Sequence, residues 1–320
     1  MTGNVELWDC RTAFSQALES LAAQDDRVVV VVNDSVGSSK LTAFAERFPD
    51  RIVNVGIAEQ DMVGVAAGLA SSGMIPFVSA AASFLTARAL EQIKVDAAYA
   101  ASNVKFCGMS PGLAYGSLGP THHSVEDISW LRAIPGVQIV VPSDPVETAG
   151  AVRWAGGAPG PVFLRISRSP VPCVNKPGYD FRPGKAVRLR DGGDVSIIAN
   201  GTVVWRALEA ADELARQQVD ARVVSMPTVK PLDTAAVLAA AEQTAGIITV
   251  EEASVTGGLG AAVAALLAER HPSPMRILGV PDEFAPVGDE NWLMDRYGIS
   301  SSGIVRATLA MLGHESSVGN

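Results

Sequence analysis

Short apolar runs alternate with helix-spaced segments along almost the whole chain, and this alternation constrains the fold more than any other feature. The run VVVVV at 28–32 is apolar on both faces of any strand it forms, so it needs cover above and below. Before it, Phe14, Leu18 and Leu21 recur at helical spacing within residues 11–24. After it come RIVNVG at 51–56, a helix of small residues, IPFVSA at 75–80, a helix from Phe84 to about Tyr99, and NVKFCGM at 103–109. The loop SPGLAYGSLGPTHHS at 110–124 leads to a helical VEDISWLRAI, a strand VQIVVPS, a helix PVETAGAVRWA and a strand PVFLRIS. Strands and helices in turn predict a parallel sheet covered by helices on both faces.

The pattern breaks between about 170 and 190, where Pro and Gly mark a linker, and then resumes through VSIIANG, TVVWRALEAADELARQQ, ARVVSMP, TAAVLAAAEQ, GIITVEE and a helix near GGLGAAVAALLAE. Two α/β domains are therefore predicted, residues 1–172 and 191–320 around a linker at 173–190. The length of 320 residues suits two compact units. A formal charge of −9 with no basic run argues against a nucleic-acid partner. No apolar run is long enough for a membrane span, and MTGNVELWDC lacks a signal core. Cys10, Cys107 and Cys173 are odd in number and match neither a zinc site nor a disulfide framework, so a reducing cytoplasm is the simplest home.

Gly258, Gly260 and Ala262 loosely match a dinucleotide fingerprint, which would suit a nicotinamide-dependent oxidoreductase. The match comes late in the chain and follows the acidic VEE, and close packing explains such glycines more simply. Also absent is a GDG followed some thirty residues on by Asn, the pattern that holds a diphosphate through a divalent metal. Within NVGIAEQDMVGVAAGLASSG at 54–73, Glu59 and Gln60 sit between a strand end and a helix start, where backbone N–H groups can orient a carboxylate.

NVGIAEQDMVGVAAGLA, GPTHHSVEDISWLRAIPGVQIVVPSD and VEEASVTGGLGAAVAALLAE, in that order, resemble the transketolase family. DCRTAFSQAL, PDRIVNVGIAEQ, SMPTVKPLD and YGISSSGI extend the resemblance over nearly the whole chain. More narrowly, the chain looks like the C-terminal subunit of a split transketolase: a thiamine-diphosphate-binding fold whose pyrimidine domain precedes a transketolase C-terminal α/β domain. The resemblance implies thiamine diphosphate and Mg²⁺ as cofactors. It further implies an N-terminal, diphosphate-binding partner subunit that holds the metal, an α2β2 assembly and a small-molecule sugar phosphate as substrate.

Residue by residue, the resemblance places Glu59 against the ring nitrogen of the aminopyrimidine. A carboxylic acid there can share its proton with that nitrogen and favour the imino tautomer, which takes the thiazolium proton. Phe84 falls where the family stacks an aromatic on the pyrimidine, and Asp34 matches an acidic position near the cofactor. His122 corresponds to a histidine of the substrate channel. Arg11, Ser38 and Arg168 match positions that grip a sugar phosphate, with Arg165 a near alternative to Arg168. No role is expected for Gln60 or His123; Arg88 reads as an ion-pairing helix residue, and His271 and His314 as surface residues.

Three departures stand out. Family members carry further aromatics after Phe84, where this chain has Ala87 and Leu90. A family His that binds phosphate is replaced by Ser110, and an Asp that reads a sugar hydroxyl by Leu118. Losing an acid to Leu implies specificity for something other than the standard pentose phosphates. Rivals within the same chemistry are the β subunit of a 2-oxo acid dehydrogenase decarboxylase and deoxyxylulose-phosphate synthase. A scaffold subunit without catalysis is the rival from another class.

Overall fold

A computed structural model describes residues 6–313, so His314 lies outside the described residues. The first half runs α1 (Cys10–Ala22), β1 (Val28–Val32), α2 (Thr42–Arg47), β2 (Ile52–Asn54), α3 (Glu59–Ser71), β3 (Ile75–Ala81), α4 (Ala82–Arg88), α5 (Leu90–Gln92), β4 (Lys105–Met109), α6 (Asp127–Ala133), β5 (Gln138–Val140), α7 (Pro145–Gly157) and β6 (Val162–Ile166). The second runs β7 (Val187–Arg190), β8 (Val195–Ala199), α8 (Val204–Arg216), β9 (Ala221–Ser225), β10 (Thr228–Lys230), α9 (Thr234–Gln243), β11 (Ile247–Ser254), α10 (Leu259–Arg270), β12 (Met275–Val280), α11 (Glu290–Arg296) and α12 (Ser301–Leu312).

These strands form two sheets, one of seven strands in the order β10-β5-β6-β4-β3-β1-β2 and one of five in the order β12-β11-β8-β9-β7. Every residue of β1 is buried, as expected for a strand paired in parallel on both sides, here by β2 and β3. Aspartate side chains cap α1, α7, α9 and α11: Asp9, Asp144, Asp233 and Asp289 each accept a backbone N–H of the first turn. The sequence thereby marks helix starts with residues that satisfy otherwise orphaned donors.

Three features differ from the sequence expectation. The helix expected from Phe84 to Tyr99 breaks after Arg88 and continues as a π-turn over Ile93–Tyr99. Residues 187–190, at the end of the expected linker, form the edge strand β7, antiparallel to β9. The strand β10 leaves the second half altogether and pairs antiparallel with β5 of the first sheet. Accordingly, one apolar cluster contains Ile128 and Ile139 together with Met226, Val229, Val237 and Leu259. No helix among the described residues is long and apolar enough to cross a membrane.

Candidate active site

In a parallel sheet all strand C-termini emerge along one edge, and residues just past them meet there whatever their separation in sequence. Here β6, β4, β3, β1 and β2 are consecutive in the sheet. Just past their ends lie Arg168 (β6), Ser110 (β4), Phe84 (β3), Asn33 and Asp34 (β1) and Glu59 (β2).

Glu59 opens α3 and is only 3 % exposed. Its Oε1 accepts from Asn33 Nδ2 at 2.8 Å, and Arg88 Nη1 lies 3.2 and 3.1 Å from its two oxygens. Burial pushes this carboxyl up, but the bonds from Asn33, its own backbone N–H and Arg88 outweigh that and hold it below the usual glutamate range. Asn33 is itself fixed by Ser35, whose hydroxyl donates to Asn33 Oδ1 at 2.5 Å. A cleft of about 490 Å³ lined by Ile57, Ala58, Glu59, Gln60, Asp61 and Arg88 opens over the carboxylate.

A line of ring contacts leads away from Glu59. Arg88 Cζ lies 4.2 Å from the Phe84 ring centroid. Phe84 meets the His122 imidazole edge-on at 5.2 Å, and His122 meets Tyr115 at 5.8 Å. Arg168 Cζ sits 4.9 Å from the Tyr115 centroid. Among the described residues, Arg168 makes no ion pair with a carboxylate, which leaves its guanidinium available to an anion. His122 Nδ1 is 2.9 Å from the Thr121 hydroxyl. Glu59, Phe84, His122 and Arg168 therefore come together.

The other expected residues are placed differently. Asp34 is exposed, adopts φ 70°, and accepts from Asn54 rather than approaching Glu59; its neighbour Asn33 makes that contact. Arg11 spends Nε and Nη2 on Asp9 and Nη1 on the Ser38 carbonyl, at 2.9 Å, so it pins the loop that carries Ser38. The Ser38 hydroxyl donates to the Ser35 carbonyl. Arg165 is not an alternative to Arg168: it is buried against Asp127 and bonds the carbonyls of Ser124 and Glu252. Ser110 is buried at φ 54° with no partner for its hydroxyl, and Leu118 is 50 % exposed in a short turn of the same loop. His123 is buried and its ring nitrogens lack partners; burial lowers its affinity for a proton.

Sequence reasoning missed Asn33, Tyr115 and the Arg88 contact with Glu59. Arg88 was findable, since it follows Phe84 by four residues and lies on the same helix face. The dinucleotide pattern has another explanation. Leu259 and Gly260 donate their N–H groups to the Glu251 carboxylate at 2.7 and 2.8 Å, filling the helix start where a pyrophosphate would bind. A Cβ on Gly258 would fall 2.1 Å from Glu251 Oε2, so this glycine serves packing.

Comparison with known proteins gives the same outline. The family model described as transketolase, pyrimidine binding domain, matches residues 7–173, and that for the transketolase C-terminal domain matches 184–304. The chain is 46 % identical over 301 residues to one of the subunits of the apulose-4-phosphate transketolase of Phocaeicola vulgatus, covering 94 % of this chain and 96 % of that one. It is 41 % identical over 297 residues to a 6-deoxy-6-sulfo-D-fructose transketolase subunit of a Clostridium species, covering 93 % and 92 %. A solved split-gene transketolase described as an inactive β4 tetramer superposes with a TM-score of 0.88 at 38 % identity, over 96 % of this chain and 99 % of that one.

Proposed function

The chain belongs to the transketolase family, and from that premise we propose that it is the pyrimidine-binding subunit of a two-polypeptide, thiamine-diphosphate-dependent transketolase. It moves a two-carbon ketol unit between phosphorylated or otherwise anionic sugars. The observation that carries this reading is the line of contacts from Glu59 through Arg88, Phe84, His122 and Tyr115 to Arg168. One end offers a buried carboxylate joined through Arg88 to an aromatic ring, which fits an aminopyrimidine; the other offers a guanidinium that makes no ion pair among the described residues, which fits an anion.

When bound, thiamine diphosphate supplies a nucleophilic carbon that carries the two-carbon unit. Glu59 holds a proton at its carboxyl for the pyrimidine ring nitrogen, and Asn33 fixes the carboxyl rotamer. Phe84 gives the ring a flat support and excludes water. His122, braced edge-on between Phe84 and Tyr115, donates to or accepts from sugar oxygens as they change protonation. Arg168 receives the anionic end of the sugar. Arg11 acts one step back by holding the Ser38 loop, where the exposed Ser38 reaches the same anion by releasing the Ser35 carbonyl, and Asp34 adds a negative charge next to Asn33.

The diphosphate and Mg²⁺ are held by the partner subunit in an α2β2 assembly. Support for a required partner comes from the split-gene relative, which as a β4 tetramer is inactive. The named substrates of the two relatives are a phosphate and a sulfonate sugar, which supports anionic substrates beyond the common pentose phosphates. Ser110 and Leu118 tune that choice. The test is ketol transfer with thiamine diphosphate and Mg²⁺ by this chain alone, by its complex with the diphosphate-binding subunit, and by the complex carrying Glu59→Gln. Turnover in the wild-type complex only is expected; an equally active Glu59→Gln complex, or no turnover with any anionic ketose, refutes the assignment.

A further inference from the structure

Arg88 touches both groups on which the proposed pyrimidine site depends. Its Nη1 lies 3.2 Å from Glu59 Oε1 and 3.1 Å from Oε2, and its Cζ stands 4.2 Å from the Phe84 centroid. With Asn33 also on Oε1, the carboxylate edge is fully engaged. The two side chains differ sharply in freedom: Glu59 is 3 % exposed and Arg88 is 49 % exposed.

A guanidinium is planar, delocalised and rimmed with N–H donors. It therefore presents the same two features as an aminopyrimidine: a flat face for an aromatic ring and a nitrogen edge for a carboxylate. We propose that Arg88 is a positioning residue that stands in for the cofactor ring, holding Glu59 and covering Phe84 until an aromatic heterocycle displaces it. This rests on the reading of Glu59 and Phe84 as the pyrimidine site. Both contacts are surrendered together, because one planar group makes both. The half-exposed side chain leaves into the cleft it already lines, where Asp61 offers it another carboxylate.

The arrangement has a consequence opposite in sign to that of an ordinary ligand. A cation on Glu59 favours its ionised form, whereas sharing a proton with a ring nitrogen needs the carboxylic acid. Arg88 thus keeps the carboxylate in place and dry in the absence of cofactor, and part of the cofactor's binding energy goes into removing it. Deleting Arg88 strengthens cofactor binding, while deleting a residue that merely supports the fold would weaken it.

The experiment is calorimetric titration of thiamine diphosphate with Mg²⁺ into the complex of this chain with its diphosphate-binding subunit. Wild type, Arg88→Ala, Arg88→Lys and Glu59→Ala are compared, and thermal unfolding of each cofactor-free complex is recorded. Arg88→Ala is expected to tighten binding about tenfold, the scale of one charge-assisted contact. Arg88→Lys, which can pair but not stack as a plane, falls between. Equal or weaker binding by a folded Arg88→Ala complex overturns the stand-in role. An affinity that Glu59→Ala leaves unchanged, or no binding by wild type, overturns the pyrimidine site itself.

Discussion

Arg165→Met should cost far more than a single surface charge, because this arginine joins four parts of the molecule. Its side chain is 3 % exposed and that of Asp127 is 0 % exposed. Nε lies 3.2 and 3.0 Å from the two Asp127 oxygens, and Nη2 donates at 2.9 Å to the carbonyls of both Ser124 and Glu252. Methionine fills much of the volume but leaves Asp127 as a buried charge without a counter-charge, which costs about 3–5 kcal/mol. The two carbonyls lose their donor at roughly 1 kcal/mol each, and because these losses overlap the total is about 5 kcal/mol. That is a large share of the roughly 5–15 kcal/mol that holds a domain folded. Adding Asp127→Asn removes the orphaned charge while keeping an oxygen for the Ile128 N–H, so the double variant should recover about 2–3 kcal/mol. Urea unfolding followed by tryptophan fluorescence and far-ultraviolet circular dichroism checks this, and the two probes should separate in the single variant if the halves come apart. The reasoning is refuted if Arg165→Met costs less than about 1 kcal/mol, or if the double variant is no more stable than the single.

Further outcomes follow from the same structure. Burial pushes the Glu147 carboxyl up to about 7 from its ordinary 4.5, against the bonds from Ser143. Its folded value is the higher one, so its contribution is fully present below about pH 4.5 and is lost as pH rises through about 7, at roughly 3 kcal/mol. Glu147→Gln should flatten the fall in urea midpoint across that window, and an unchanged profile would count against it. Gly258→Ala, whose Cβ would lie 2.1 Å from Glu251 Oε2, should destabilise by about 2–3 kcal/mol in the same unfolding assay, whereas a neutral effect would show that Glu251 can move. Arg168→Met should raise KM for an anionic sugar at least tenfold, an order set by a charged hydrogen-bonded contact, while leaving thiamine diphosphate affinity unchanged. A KM that stays put would take Arg168 out of the anion site.

Much of the architecture is legible in the sequence because it follows from local periodicity. VVVVV has to be a two-faced buried strand, and Asp9 and Asp144 mark helix starts that need acceptors. The chain family could be read from ordered motifs, and the same motifs single out Glu59, which is buried at the start of α3. What periodicity does not encode is which segments become neighbours. Thr228–Lys230 carries no mark that it will leave its own sheet for β5, since a three-residue strand looks the same in either place. Asn33, beside the expected Asp34, reaches Glu59 only because β1 and β2 end side by side. Tyr115 reads as one aromatic in a glycine-rich loop, and its place between His122 and Arg168 depends on how that loop folds back. Arg165 and Arg168 differ by three residues, yet one is consumed by structure and the other left free, a distinction made by burial and not by residue type.

The migrating strand β10 bears on how such a chain can be divided. Cutting at the proline-rich segment near residue 173 would strip the first sheet of its outermost member and bare the hydrogen-bonding rim of β5 to any passing strand. The same cut would take Met226, Val229 and Val237 out of the cluster they form with Ile128 and Ile139. The two halves are therefore one folding piece, and either half expressed without the other should expose an unpaired strand edge.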